Sequence, residues 1–240
     1  MKIRGRWMIL LRKIAAIWEN RQHHATTNST TTIALTQYQV KAAWQERFMQ
    51  VLSNYTTSSR QASGNIMAGA YYEHGDSCTM WTIERWFNKA FYAAHKKTAA
   101  AKAVSALAKI GLALPVETIF IKDLELVAKE SDGTTAGEPV TIMLIIDVKP
   151  GNENYFKSIN HDLAQSLLTA PGVLFFQFGK VAGHTSRFII YKTFCNWQMF
   201  QHHLKDPALA PIMHFLKTSV KAPPFEKNYH HLIPFTSRYL

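Results

Sequence analysis

The chain has 240 residues, 47% apolar and 12% aromatic, with 27 Lys or Arg against 16 Asp or Glu and a formal charge of +11. That length can bury two cores of about 100 residues each, and no stretch approaches the roughly 20 apolar residues of a transmembrane helix. Six of the basic residues and one Glu fall in the first 31 positions; the remaining 21 basic and 15 acidic residues form no basic run and no nucleic-acid module, so nucleic acid is not an expected partner.

Residues 1–31 stand apart. Trp7, Leu11, Ile14 and Trp18 recur at helical spacing, with Arg6, Arg12, Lys13 and Arg21 elsewhere, which describes a basic amphipathic helix over residues 1–21. Its apolar run, WMILL, is too short for a signal-peptide core. The segment reads either as a membrane-surface anchor or as a dispensable extension, joined by the polar linker HHATTNSTTT.

A first domain is expected over 32–128. It has strand 33–40, helix 44–60, strands 65–73 and 78–86, a helix from 89 to about 110 and a strand over 116–127. KESDGTTAGE is the core of a linker over 129–138, and a second domain occupies 139–240. There VTIMLIIDV (140–148) is a strand, Lys149-Pro150-Gly151 a turn, and 152–168 a helix with Phe156, Ile159, Leu163 and Leu167 on one face. Pro171-Gly172 leads into the strand VLFFQFGKV, Gly183-His184 turns a hairpin, and SRFIIYKTF returns. Asn196 caps a second helix, as Asn88 does in the first domain, and a last strand falls within 225–235.

The two domains are one pattern written twice. At a shift of 108 the register holds without a gap from Val40 to His95: Val40-Lys41 falls on Val148-Lys149, Phe48 on Phe156, Gly64 on Gly172, Gly75 on Gly183, Asn88 on Asn196 and His95 on His203. The matches sit at bends, hairpins and helix starts, and the period is far longer than that of solenoid repeats. The order βαββαβ, twice, is ferredoxin-like. Each sheet has helices on one face only, and a second copy is the simplest cover for the other. The expected fold is therefore α+β, two ferredoxin-like βαββαβ repeats packed sheet to sheet as an intrachain dimeric α/β barrel. The chain is expected to be a monomer with an internal pseudo-dimer, or a weak homo-oligomer through exposed edges.

Strand, Val-Lys-Pro-Gly, helix, Ala-Pro-Gly, hairpin, then an aromatic strand running into Asn-x-x-x-Phe/Met-x-x-x-His resembles the antibiotic biosynthesis monooxygenase (ABM) family, over about 33–127 and 140–235. The family pattern carries Tyr-Glu-x-Trp before the second helix and Glu-Ala-His within it. The first copy keeps Glu84, Trp86 and His95 but has Ile83 for the tyrosine; the second keeps Tyr191 and His203 but has Lys192 for the glutamate and Phe194 for the tryptophan. Either one half works and the other is degenerate, or both are tuned for binding.

The resemblance implies a cofactor-independent monooxygenase acting with molecular oxygen on a small aromatic or quinol-like substrate. The alternative is a non-catalytic small-molecule-binding or stress-response barrel. Under the first reading His95 or His203 takes a proton from a phenolic substrate; under the second each braces the pocket wall. Trp86, Tyr191, Glu84 and Phe194 are the expected substrate contacts, although Glu84 also reads as a solvated or salt-bridged carboxylate. No cofactor is expected, with haem the lesser alternative, since the position of its axial histidine in relatives is matched only approximately by His214. No metal is expected either: neighbours such as His202-His203 and His230-His231 diverge by about 100° on a helix, and no zinc-type spacing occurs. Cys78 and Cys195 fall in strand patterns without metal or redox spacing, which suggests reduced packing residues and a cytoplasmic chain.

Overall fold

The structure, a computed structural model, describes residues 31–129, 137–222 and 228–235. The expected amphipathic helix over 1–21 and most of the 129–138 linker lie outside the described residues. Among the described residues no helix is long and apolar enough to cross a membrane. They divide into two compact units, one comprising 31–122 with 232–235 and the other the described part of 123–231.

The first unit begins with β1 (Thr32–Gln39), a 3-10 turn and helix α1 (Gln45–Gln61), followed by the hairpin β2 (Asn65–Glu73) and β3 (Asp76–Trp86). Helices α2 (Lys89–His95) and α3 (Ala99–Gly111) then lead to β4 (Glu117–Ala128). Central β3 pairs antiparallel with β1 and β2. On its far edge β1 pairs with β4 through Ile33 and Ile121. Helix α1 buries Phe48, Leu52, Tyr55 and Ser59, a spacing that keeps all four on one face. That face joins Tyr38, Met80, Val104 and Leu107 in one core.

The second unit repeats the order with β5 (Val140–Asp147), α4 (Glu153–Leu167), β6 (Val173–Val181), β7 (Arg187–Phe194), α5 (Trp197–His203), α6 (Ala210–Thr218) and β8 (Tyr229–Pro234). Residues 232–235 count with the first unit, where β8 pairs with β2 through Leu232, Ile233 and Pro234. Its core is aromatic: Phe156 stacks on Phe215 at 4.7 Å and Phe178 on Phe188 at 5.5 Å. Hydrogen-bonded strand neighbours follow the closed order β1-β3-β2-β8-β5-β7-β6-β4, the α+β barrel topology expected from the sequence.

The 108-residue register runs further than the sequence alone showed. The bridge Val40–Leu112 recurs as Val148–Val220. The amide of Lys41 donates to Gly111 and that of Lys149 to Ser219, while the Lys41 ammonium donates to the Ile110 carbonyl and that of Lys149 to Thr218. A lysine at the strand exit thus closes the end of the last helix in both units, where unpaired carbonyls favour a cation.

Two expectations are corrected. The helix expected from 89 to about 110 is two helices, because Thr98 leaves helical geometry and its hydroxyl caps Ala101 N–H. Cys195 lies just past β7; its backbone N–H donates to Gly172 O, as that of Phe87 does to Gly64 O. Both cysteines are free, Cys195 buried and Cys78 half-buried.

Gly64 and Gly75 both have positive φ, at +76° and +88°, but only Gly64 faces a neighbour: a Cβ there would meet the Phe91 ring at 2.2 Å. Gly75→Ala is expected to cost about 1 kcal/mol for the left-handed backbone alone. Gly64→Ala is expected to cost about 1–3 kcal/mol more through overpacking. Denaturation midpoints of the two variants, followed by tryptophan fluorescence, check the difference.

Candidate functional site

In the first unit a carboxylate is held away from water. Alternation along β3 sends Met80, Thr82, Glu84 and Trp86 to one face, and Glu84 is only 1% exposed. Its Oε2 accepts from the Tyr55 hydroxyl at 2.7 Å and its Oε1 from the Ser59 hydroxyl at 3.0 Å. Ser59 Oγ also stands 2.8 Å from His95 Nε2 and 3.0 Å from the Tyr55 carbonyl. The expectation of a solvated or salt-bridged Glu84 is therefore corrected: its hydrogen-bonding partners are neutral hydroxyls. Helix α1 supplies Tyr55 and Ser59, one turn apart on the buried face, and α2 supplies His95. Asn88 fixes the start of α2 by accepting from the N–H groups of Ala90 and Phe91.

Burial raises the Glu84 pKa, while Tyr55, Lys96, Ser59 and Trp86 pull it back less strongly. Burial and Glu84 push the Tyr55 phenol above its ordinary range, so it stays a donor. Burial, then Lys96, lowers His95 and keeps the imidazole neutral. The Lys96 ammonium lies over the Tyr55 and Tyr92 rings, at 5.4 and 5.8 Å, where ring faces attract a cation.

Ser59 has one hydroxyl hydrogen, and this links two protonation states. With Glu84 ionised, Ser59 gives its hydrogen to an oxygen acceptor, His95 Nε2 must then be the N–H donor to Ser59, and Nδ1 carries a bare lone pair. With Glu84 protonated, the chain can reverse. His95 Nδ1 is buried and has no hydrogen-bond partner among the described residues. The indole N–H of Trp86 sits on the side of the Glu84 carboxylate and favours its anion, but it meets no acceptor in hydrogen-bonding geometry. Trp86 and Tyr55 flank His95, with ring centres 5.0 and 5.1 Å away, and Tyr92 continues the aromatic wall from Trp86 to Phe120.

The second unit has the same backbone and different chemistry. At the shift of 108, Tyr55 becomes Leu163, Ser59 becomes Leu167, Glu84 becomes Lys192, Trp86 becomes Phe194 and Tyr92 becomes Phe200. All but Lys192 belong to the apolar core. Lys192 Nζ lies 2.9 Å from His203 Nε2. Burial brings the Lys192 pKa down to about 7, and burial, then Lys192, brings that of His203 down to about 3.

Comparison with known proteins agrees with the geometry. Residues 31–107 match the family model described as antibiotic biosynthesis monooxygenase. The first repeat is an ABM domain. Among curated proteins none matches the chain. Among solved structures, a proposed monooxygenase from Fusobacterium nucleatum is 14% identical, with a TM-score of 0.77 over 87% of this chain and 94% of its own. One from Lactobacillus acidophilus is 13% identical, with a TM-score of 0.71 over 85% and 94%. An anthrone oxidase-like protein is 11% identical, with a TM-score of 0.60 over 86% and 92%. At these identities the likeness is one of fold, and it spans both repeats.

Of the site residues expected from the sequence, the ABM domain brings Glu84, Trp86 and His95 together. The second repeat brings Phe194 to His203, with ring centres 5.0 Å apart. Tyr191 does not join them: it alternates to the opposite face of β7 from Lys192 and packs edge-on against Phe175 at 5.5 Å. Tyr55 and Ser59 were missed by sequence reasoning, although two polar residues stand in the helical stripe where the other repeat has leucines. Haem does not fit the residues present, because 96–107 holds no histidine and His214 is on the exposed side of α6. No cluster of three or more His, Cys, Asp or Glu suited to a metal occurs among the described residues.

Glu84 and Lys192 should give opposite pH slopes. Glu84 binds its proton more tightly in the folded state, so its contribution makes stability fall as pH rises above the ordinary carboxyl range. Glu84→Gln should therefore gain on wild type as pH increases from 4 to 8. Lys192 binds its proton less tightly when folded, so its contribution makes stability rise between about pH 7 and its ordinary value near 10.5. The advantage of Lys192→Met should be largest at or below pH 7 and shrink above it. Thermal midpoints of the three proteins across pH check both signs.

Proposed function

We infer that the ABM domain is the working half of a cofactor-independent monooxygenase that uses molecular oxygen on a small aromatic or quinol-like substrate. The reading rests on one observation: a buried Glu84–Ser59–His95 chain that ends on an imidazole nitrogen with no hydrogen-bond partner among the described residues. That nitrogen takes the substrate's hydroxyl proton, and the resulting imidazolium is stabilised through Ser59 by the Glu84 carboxylate. Tyr55 holds the second carboxylate oxygen, so the charge has a fixed position when the proton arrives. Trp86 offers a flat face to an aromatic ring.

The substrate anion is electron-rich enough to supply the electrons itself. For a ring CH2 whose enol tautomer supplies that hydroxyl, ionisation leaves a conjugated CH carbon that bonds to one oxygen atom of O2 as the C–O− becomes C=O, and the proton returned from His95 completes a substrate hydroperoxide. Loss of water then leaves a carbonyl. One oxygen atom enters the substrate, the other leaves as water, and the CH2 to C=O conversion provides all the electrons. The second repeat keeps the histidine but none of the hydroxyls that would connect it to a carboxylate, which favours binding without turnover in that half.

Oxygen uptake by metal-stripped protein, measured over hydroquinones, naphthols and anthrones, tests the reading. His95→Ala is expected to lose about 100-fold or more of the rate, the usual contribution of a positioned base, and His203→Ala to keep most of it. A flat trace across the panel while ligands still bind would overturn the enzymatic reading. Loss in His203→Ala alone would overturn the assignment of the working half.

A further inference from the structure

The second unit holds an amine that the oxygen chemistry does not use. Lys192 faces Ile142 on β5 and Phe176 on β6 in the strand register, with Nζ 5.5 Å from the centre of the Phe176 ring. Helix α4 carries Leu163 and Leu167 at the positions where α1 carries the hydroxyls of Tyr55 and Ser59. Among the described residues no carboxylate reaches Lys192 within ion-pairing distance. The titratable groups near it are His203 and His202 on α5 and Asp206 beyond that helix. Asp206 is occupied in capping, where its carboxylate accepts from Ala208 N–H.

The polar partner at hydrogen-bonding distance is His203 Nε2, at 2.9 Å. A neutral imidazole accepts a hydrogen bond from the ammonium without adding a second charge. An apolar wall disfavours the ammonium, and a lysine in such a setting has its lone pair free for attack on a carbonyl. The Lys192 residue as a whole keeps partial exposure.

We propose that Lys192 is a carbonyl-capturing amine, which forms an imine with an aldehyde or ketone held against the apolar wall of the second unit, with His203 relaying protons at the nitrogen. The free amine attacks the carbonyl carbon and a C–N bond forms. The nitrogen proton passes by way of His203 Nε2 to the former carbonyl oxygen, giving a carbinolamine. Loss of that oxygen as water forms the C=N bond. No oxidant or reductant enters, and addition of water releases the carbonyl unchanged. The site is thus separate from the oxygen chemistry of the ABM domain and stands or falls without it.

The test uses the full chain with benzaldehyde and, separately, hexanal, in the presence of cyanoborohydride, which reduces any imine to a stable secondary amine. Peptide mass spectrometry then locates and quantifies the label. At pH 7, Lys192 is expected to be labelled at least tenfold faster than any other lysine, with a rate that levels off just above pH 7 while the others keep climbing towards pH 10. Labelling of Lys192 no faster than that of surface lysines would overturn the proposal. His203→Gln should slow Lys192 labelling about tenfold and leave other lysines and the far-UV spectrum unchanged; an unchanged Lys192 rate would overturn the relay role.

Discussion

The site in the ABM domain depends on a single buried carboxylate held by neutral hydroxyls. An isolated charge in a protein interior is costly, and Glu84 is held by Tyr55 and Ser59 with no hydrogen-bonded cation among the described residues. Those two hydroxyls lower the cost of the anion without neutralising it, so part of its charge remains to act on His95. A salt-bridged glutamate would be more comfortable and less useful. Lys96 lies close enough to favour the anion, but its ammonium is set over aromatic rings rather than on the carboxylate.

The second repeat shows what the same backbone does without that device. Leu163 and Leu167 replace the two hydroxyl-bearing residues, and the charge position changes sign to Lys192. Each set of changes is self-consistent: hydroxyls accompany the carboxylate, and an apolar wall accompanies an amine whose proton is loosely held. The shared parts, the Asn caps, the positive-φ glycines and the lysines that close the last helices, serve the backbone. The parts that differ serve chemistry. Duplication of a stable frame leaves one pocket free to diverge.

Much of the fold was legible because its signals are local. Gly64, Gly172, Asn88 and Asn196 mark bends and helix starts by their own backbone and capping preferences, and the strand boundaries follow from them. The break at Thr98 was hidden by the alanine-rich run after it, which favours helix on both sides of a cap. The site was only half legible. Glu84, Trp86 and His95 were readable from their pattern, but the burial of Glu84 was not, since nothing in the strand itself marks the two hydroxyls on α1 that receive the carboxylate. Tyr191 was misplaced by adjacency: neighbours on a strand face opposite ways. Tyr55 and Ser59 went unread because a polar residue in a helix stripe looks like surface until the other repeat shows leucine in its place.

The central claim is that an ionised Glu84 acts through Ser59 to leave His95 with a bare Nδ1. Nitrogen-15 NMR of selectively labelled histidine, assigned by comparison with His95→Gln, reads the tautomer directly as a function of pH. Above the titration of Glu84, the account predicts a neutral His95 protonated at Nε2, converting in Glu84→Gln to a mixture or to the Nδ1 form. An Nδ1–H tautomer or an imidazolium in the wild-type protein at that pH would contradict it.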